Sequence, residues 1–544
     1  MMKKTFAIFS VLAVCAGLSA QNINQSVQVT NDYESKFSDI QKKGVELSIP
    51  DSLYRFDYDF NYSVFENPYR GSYDFSPYRV SVVPYSSGYD GSKFYLRAGA
   101  GYSFHPLLTA VYNAVDKDDF TLSLYSDGGG YGGKYWNGVA AYGGTQQRYD
   151  GYSYNESIGV SGHKMWDAAT LAFNVGYDGI YAAKYKALSS GNAYEGSGYH
   201  SGALHADLRS DASKATYFFY DVALDYRFGA DALTQDRGTL GEHNFGVSGS
   251  VGPVIKSKFR MLIDFAFNME HASISGSSST MTLADIKPHF KFNAGPVVLD
   301  AGARLDYLSD GDGTNFTVTP VVRADLQLFD GKVDVFAGLD GGQKLLGFHD
   351  LKSMNSFYGI TSVSPHSMNE QIDIFLGVGG NAGSRLQYEL RGGYNSIIGA
   401  PLTSVDGFDF VTLRNIYADL ALTWNSERLL VDGNVHFGKA SLSGTQQGYL
   451  PSMFNGNLRA VYNWSKRIFA GLWVEGATAR KYSDSSLTKI PGYVNLGIEG
   501  EYRMSSKLGF WLQGGNLIGM AIEKIPGVVE KGPYVTAGIT LKFQ

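Results

Sequence analysis

The sequence predicts an all-β fold. It reads as a transmembrane, antiparallel, up-and-down β-barrel of about 22 strands, with about 14 to 20 as the alternative count, behind an irregular N-terminal segment. Three observations predict it. Apolar and polar residues alternate with a period of two over roughly 450 residues between Phe94 and Phe543, whereas a soluble core stops growing at about 250–300 residues. Beyond the N-terminal leader there is no run of about 18 consecutive apolar residues that could cross a bilayer as a helix. The composition is 44% hydrophobic and 14% aromatic, with 66 glycines, 38 tyrosines and 15 prolines. Tyrosine suits membrane interfaces, glycine relieves crowding on a curved sheet, and proline is confined to edges and turns.

Residues 1–20 read as a secretory signal peptide: Lys3 and Lys4, an apolar stretch from Phe6 to Leu18, and small Ser19-Ala20 before Gln21. About 13 apolar residues are too few to span a membrane. Cys15 is the single cysteine, and the bulky Val14 before it disfavours lipidation. Cleavage removes that thiol, so no disulfide or cysteine metal site is expected in the mature chain. Loss of Lys3 and Lys4 takes the formal charge from −6 to −8, which argues against a nucleic-acid partner.

Residues 21–92 lack sustained alternation and contain the pairs Pro68-Tyr69 and Pro77-Tyr78. The aromatics from Tyr54 through Phe60 and Phe65 to Tyr85 would be poorly accommodated in a solvated tail. The segment is therefore expected to enter the barrel or lie at its periplasmic mouth. Pro68, Pro77 and Pro84 fit a strip that fills space without joining a ladder.

Residues 93–544 carry the strands. Phe94 to Val115 keeps one phase, and a break at His105-Pro106 would make it two strands and the total even. In Phe259–Met269 every odd position is apolar, while Arg260, Asp264 and Asn268 take even ones. Arg323, Asp325 and Gln327 oppose Val318, Val322 and Leu326; Glu389 and Arg391 oppose Tyr388 and Leu390. A Lys or Arg facing lipid near mid-bilayer costs about 2–4 kcal/mol, so the charged faces are assigned to the lumen. The lumen-facing candidates are Asp221, Asp225, Arg227, Arg260, Asp264, Arg323, Asp325, Glu389, Arg391 and Arg503. Both charge signs occur, as in a water-filled lumen without strong ion selectivity.

Short turns rich in Asn, Asp, Gly and Ser, such as Lys117-Asp118, Asp330-Gly331 and Ser465-Lys466, alternate with longer connections. The longer ones are expected near 187–199, 229–241, 271–278, 308–314, 342–368, 398–408, 440–447, 480–490 and 518–532. Loop 342–368, with Phe348, Leu351, Phe357 and Tyr358, is a candidate to fold into the lumen from outside.

The last strand, Tyr534–Gln544, has Val535, Ala537, Ile539, Leu541 and Phe543 on one face and Thr536, Thr540 and Lys542 on the other. It resembles the closing strand of bacterial outer-membrane barrels, whose terminal aromatic is read by the barrel-assembly machinery. That resemblance makes Phe543 the candidate assembly signal. Taken whole, residues 94–544 resemble the barrel of TonB-dependent receptors, the 22-stranded importers of the outer membrane. Those receptors carry a plug of well over a hundred residues and a short energy-coupling box. Here 69 residues (21–89) precede the barrel and no such box is evident, so the chain is similar to a plug-less relative.

Chemical motifs are sparse. Gly128–Gly133 lacks the following Lys-Ser/Thr of a phosphate loop and reads as a flexible extracellular loop. Asp310–Asn315 echoes the start of a calcium loop, but no bidentate Glu follows. His200 and His205 fall on opposite strand faces, and no Ser, His and Asp grouping can be assembled. No catalytic, cofactor or metal site is assigned. The expected function is a pore or receptor for small-solute uptake at the cell outer membrane; the alternative is a non-transporting barrel subunit of an envelope assembly, and an outer-membrane hydrolase ranks third. Expected partners are outer-membrane lipid, the barrel-assembly machinery, a small solute and envelope proteins.

Overall fold

Pairs of alternating runs, each joined by a polar turn, form consecutive antiparallel hairpins. The computed structural model describes residues 89–543 apart from 90, 103, 138–147, 186–193, 211–217, 233–238, 254–258, 311–312, 330–331, 359–364, 405–406 and 484–488. The signal peptide and the segment expected to fill the barrel or its mouth lie outside the described residues, residue 89 and its immediate successors excepted.

The chain runs through β1 (Phe94–Gly101), β2 (Leu107–Lys117), β3 (Phe120–Asn137), β4 (Arg148–Met165), β5 (Ala169–Tyr185), β6 (Tyr194–Ser210) and β7 (Phe218–Ala232). Then come β8 (Thr239–Pro253), β9 (Phe259–Ile274), β10 (Ser277–Ala294), β11 (Val297–Ser309), β12 (Thr314–Leu328) and β13 (Val333–Leu346). A helix, α1 (Phe348–Met354), separates these from β14 (His366–Ala382), β15 (Leu386–Ser404), β16 (Gly407–Asn425) and β17 (Leu429–Leu442). The remainder is β18 (Phe454–Trp464), β19 (Ile468–Ala477), β20 (Tyr493–Arg503), β21 (Leu508–Gly515), the hairpin β22 (Ala521–Ile525) and β23 (Val528–Lys531), and β24 (Tyr534–Phe543).

Every strand of the wall pairs antiparallel with its sequence neighbours, and β24 closes the sheet by pairing with both β21 and β1. The seam register puts Phe94 opposite Phe543, their rings 5.9 Å apart. With β22–β23 set aside as a loop hairpin, the closed wall has 22 strands. Closure leaves no unpaired edge, which is what permits a sheet to sit in hydrocarbon. The phase of Phe94–Val115 does split into two strands at the turn containing His105 and Pro106.

The outer face carries the aliphatic and aromatic positions: Leu376 is 69% exposed, Phe316 63% and Ile416 60%. Such a belt around a closed barrel is stable against lipid and not against water. Most short turns share one rim with the chain's last residues, the periplasmic rim; the longer connections share the other, together with the tight turn at Ser275 and Gly276.

Three loop expectations need correction. Gly128–Gly133 is not a loop but lies inside β3. A Cβ at Gly130 would press on the Tyr154 backbone and ring, so the glycines let a neighbouring strand's tyrosines lie close. Region 271–278 is a two-residue turn at Ser275 and Gly276, both with positive φ (49° and 87°), the geometry that suits a twisted hairpin. Region 398–408 is almost all strand, with β15 reaching Ser404 and β16 beginning at Gly407. The physical reason is common to all three. Above the membrane both strand faces meet water or polar groups, so alternation fades while the backbone ladder continues. Strands β3 to β16 accordingly run 13 to 19 residues, against about 9–11 needed to cross the bilayer. Strands β18 to β21, β24, β1 and β2 run 8 to 11 residues, so the rim is low there. Hairpin β22–β23 rises from the low side and adds to β3, with Val528 paired to Asn137 and Val529 to Trp136.

Candidate functional site

The site is built from inward side chains of the wall and from one loop. The ten charged positions singled out from the sequence are spread around the wall rather than gathered. Asp225 lies 2.6 Å from His205 Nδ1, and Arg227 lies 3.3 Å from Asp178 and 3.2 Å from Ser201. Asp264 pairs with Lys287 at 2.7 Å and with His289 at 3.3 Å. Arg323 holds Asp325 at 3.0 Å and sits over the Phe336 ring; Arg391 holds Asp373 at 2.6 Å and stacks 4.1 Å over Phe375. Arg503 holds Glu501 at 2.9 Å over the Phe469 ring. Asp221 is in register with Arg209, and Arg260 with Lys291. Glu389 lines a cavity described below. The partners Asp178, Lys287, His289 and Asp373 were not singled out from the sequence. Their strand parity matches that of the ten, and parity is the signal that could have found them.

The extracellular mouth is crossed by the β13–β14 connection. Phe348 and Leu351 of α1 pack on Leu240 and Ala272, and Tyr358 stacks edge-on against Phe408 at 5.1 Å. Phe357 reaches Tyr135 of β3, ring to ring at 5.9 Å, and Val528 of the hairpin. Strand β3 stands nearly opposite β13 in the wall, so this loop bridges the mouth. Phe348, Leu351, Phe357 and Tyr358 are all buried, in keeping with a loop folded inward.

Polar contacts fix the loop where it docks. A short helix leaves its first amides without partners. Here a wall carboxylate supplies them: Glu242 Oε1 accepts from Phe348 N at 2.9 Å, while its Oε2 accepts from Tyr199 Oη at 2.6 Å. Glu270, held by Asn244 Nδ2 at 2.5 Å, lies beside it. A Cβ at Gly347 would meet Glu242 Oε1 at 2.7 Å and Glu270 Oε2 at 3.1 Å, so glycine is what lets the helix start so close to both carboxylates. Lys352 Nζ lies 2.9 Å from Asp231 Oδ2, both side chains fully buried. Burial, followed by the nearby Arg227 guanidinium, pushes His349 below the usual imidazole range.

Beneath the low rim, residues of strands β15 to β20 and of β22 line an open-sided cavity of about 700 Å³. Its lining is polar: Glu389, Asn434, Asn455, Asn457, Glu475 and Tyr493 among others. His436 Nδ1 lies 2.5 Å from Asp419, and Ser452 lines the same cavity. No hydrogen bond joins Ser452 to His436, so the nucleophile–base contact of a hydrolase is not formed. A smaller cavity of about 200 Å³ lies by His205, Asp225 and Arg227. Among the described residues no group of three or more His, Cys, Asp or Glu is placed to hold a metal ion. At the calcium-like run, Asp310 Oδ1 accepts from Gly313 N at 3.0 Å, an ordinary turn contact; residues 311–312 lie outside the described residues.

The fold recurs in solved metal transporters and import receptors. The FrpB iron transporter of Neisseria meningitidis superimposes with a TM-score of 0.64 at 9% identity, covering 84% of this chain and 82% of that one. The ferric-catecholate import receptor Fiu of E. coli gives 0.60 at 12% identity over 84% and 82%, and the copper transporter OprC gives 0.58 at 14% over 83% and 80%. At such identities the likeness is one of fold. No protein-family model and no curated protein sequence matches the chain.

Proposed function

We propose that this chain is an outer-membrane receptor for small-solute uptake whose extracellular mouth is gated by the α1 loop. The observation that carries the reading is the β13–β14 connection. It bridges the mouth from β8 and β9 to β3 and is anchored by a buried ion pair and a carboxylate-capped helix. A barrel that served only as an envelope scaffold would have no need of such a bridge across its mouth. The ion-paired inner wall is of mixed sign, which suits a solute path without strong charge selection. The solved neighbours are transporters and import receptors, which supports a transport role over an enzymatic one. From its sequence alone we read the N-terminal strip as the substitute for a plug.

The test is single-channel conductance in planar bilayers of the full mature chain and of variants lacking 348–364. The loop deletion is expected to open a persistent conductance that the intact protein lacks. A deletion variant that is folded by heat-modifiable migration and yet stays silent in the bilayer would argue for the scaffold reading.

A further inference from the structure

We propose that the 700 Å³ cavity is a binding site for a neutral oligosaccharide, an inference that rests on the receptor reading above. Its volume lies in the ~300–1,000 Å³ range of small-molecule sites. What selects the ligand is the set of groups the cavity leaves uncommitted.

The cations are already engaged. Arg391 is held by Asp373 at 2.6 Å, and Lys524 by Glu475 at 2.8 Å. Arg480 donates to the carbonyls of Glu523 and Lys524 at 3.2 and 2.8 Å. An anionic solute would have to displace these partners. Most of the carboxylates are committed too. Asp419 is with His436, Glu475 also accepts from Tyr493 Oη at 3.0 Å, and Glu523 accepts from Gly527 N at 2.9 Å. A cationic solute is left with Glu389.

Three side-chain amides remain. Asn434, Asn455 and Asn457 point inward from β17 and β18, are exposed to the cavity, and make no side-chain hydrogen bond with any described residue. Asn434 and Asn457 face each other across the ladder. Each amide offers a donor and an acceptor side by side, the complement of a sugar hydroxyl, which both donates and accepts. Glu389 adds an acceptor. The cavity lining also holds an aromatic ring, Tyr493. A flat ring beside clustered amides suits the apolar face of a pyranose.

Equilibrium binding would be measured on the full-length protein in lauryldimethylamine oxide, a sugar-free detergent. The probes are maltotetraose, mannotetraose and galactotetraose, with the anionic ferric tris-catecholate complex as counter-probe. At least one tetrasaccharide is expected to bind saturably, with an affinity that salt does not change. Asn455→Leu and Asn457→Leu are each expected to weaken it tenfold or more, and Leu458→Ala, on the lipid side, to leave it unchanged. If a leucine variant fails to fold by heat-modifiable migration, Asn434→Ala carries the test. Binding of the ferric complex with none of the tetrasaccharides would overturn this inference and leave the receptor reading standing. Tetrasaccharide binding that the asparagine variants do not affect would also overturn it. Binding of no probe, together with a loop deletion that opens no conductance, would overturn both.

Discussion

Lys352→Met tests the loop anchor most directly. The Lys352–Asp231 pair is fully buried on both sides at 2.9 Å, so the substitution leaves a carboxylate without its cation in a site closed to water. Breaking a buried pair in this way costs about 3–5 kcal/mol, and 1.36 kcal/mol is a decade in an equilibrium constant. If α1 opens as a unit, its amides should exchange with solvent about 10²- to 10⁴-fold faster. The reporters are Leu351 N, bonded to Gly347 O at 3.2 Å, and Asn355 N, bonded to Leu351 O at 2.9 Å. The wall amides of β8 and β9 should keep their protection, because their ladders do not depend on the loop. The double variant Lys352→Met/Asp231→Leu should recover most of the loss, since removing both charges removes the uncompensated burial. Hydrogen exchange read by mass spectrometry on peptides spanning 347–358 decides the matter. Exchange in Lys352→Met within threefold of the unsubstituted protein would refute the anchor.

Other expectations follow from neighbouring features. Leu458→Arg, 48% exposed on the outer face, should cost about 2–4 kcal/mol and lower the folded fraction in membranes, whereas Asn457→Arg, one residue away on the inner face, should not; equal heat-modifiable fractions would invert the face assignment. Phe543→Ala should reduce outer-membrane abundance, because it removes both the terminal aromatic and its contact with Phe94 at the seam; unchanged surface display would remove that role. His349 is held neutral in the docked loop, so its contribution is fully present above the ordinary imidazole pKa of about 6.5 and is lost as pH falls below it. Conductance should therefore rise between pH 7.5 and 5, and His349→Gln should flatten that rise. Deleting 51–89 should widen conductance if the strip narrows the lumen. If only deletion of 345–365 changes permeability, the α1 loop is the sole gate.

The sequence by itself determined the barrel. Alternation at Phe259–Met269 or Val318–Leu328 specifies which face meets lipid, because a one-residue slip would put charges into hydrocarbon. The strand count, the break at His105-Pro106 and the short periplasmic turns follow from the same local pattern and from turn chemistry. It also marked loop 342–368, with Phe348, Leu351, Phe357 and Tyr358, as a candidate to fold inward from outside. What only the tertiary structure decided is everything that depends on which distant strands share a neighbourhood. Lys352 meets Asp231, Glu242 meets the first amides of α1, and Asn434, Asn455 and Asn457 come to share a cavity lined also by β22. The strand extensions above the membrane were hidden for a related reason. Their ladders are backbone hydrogen bonds that any side chain can accompany once neither face touches lipid. Period-two alternation records the lipid boundary, and the boundary ends where the functional rim begins.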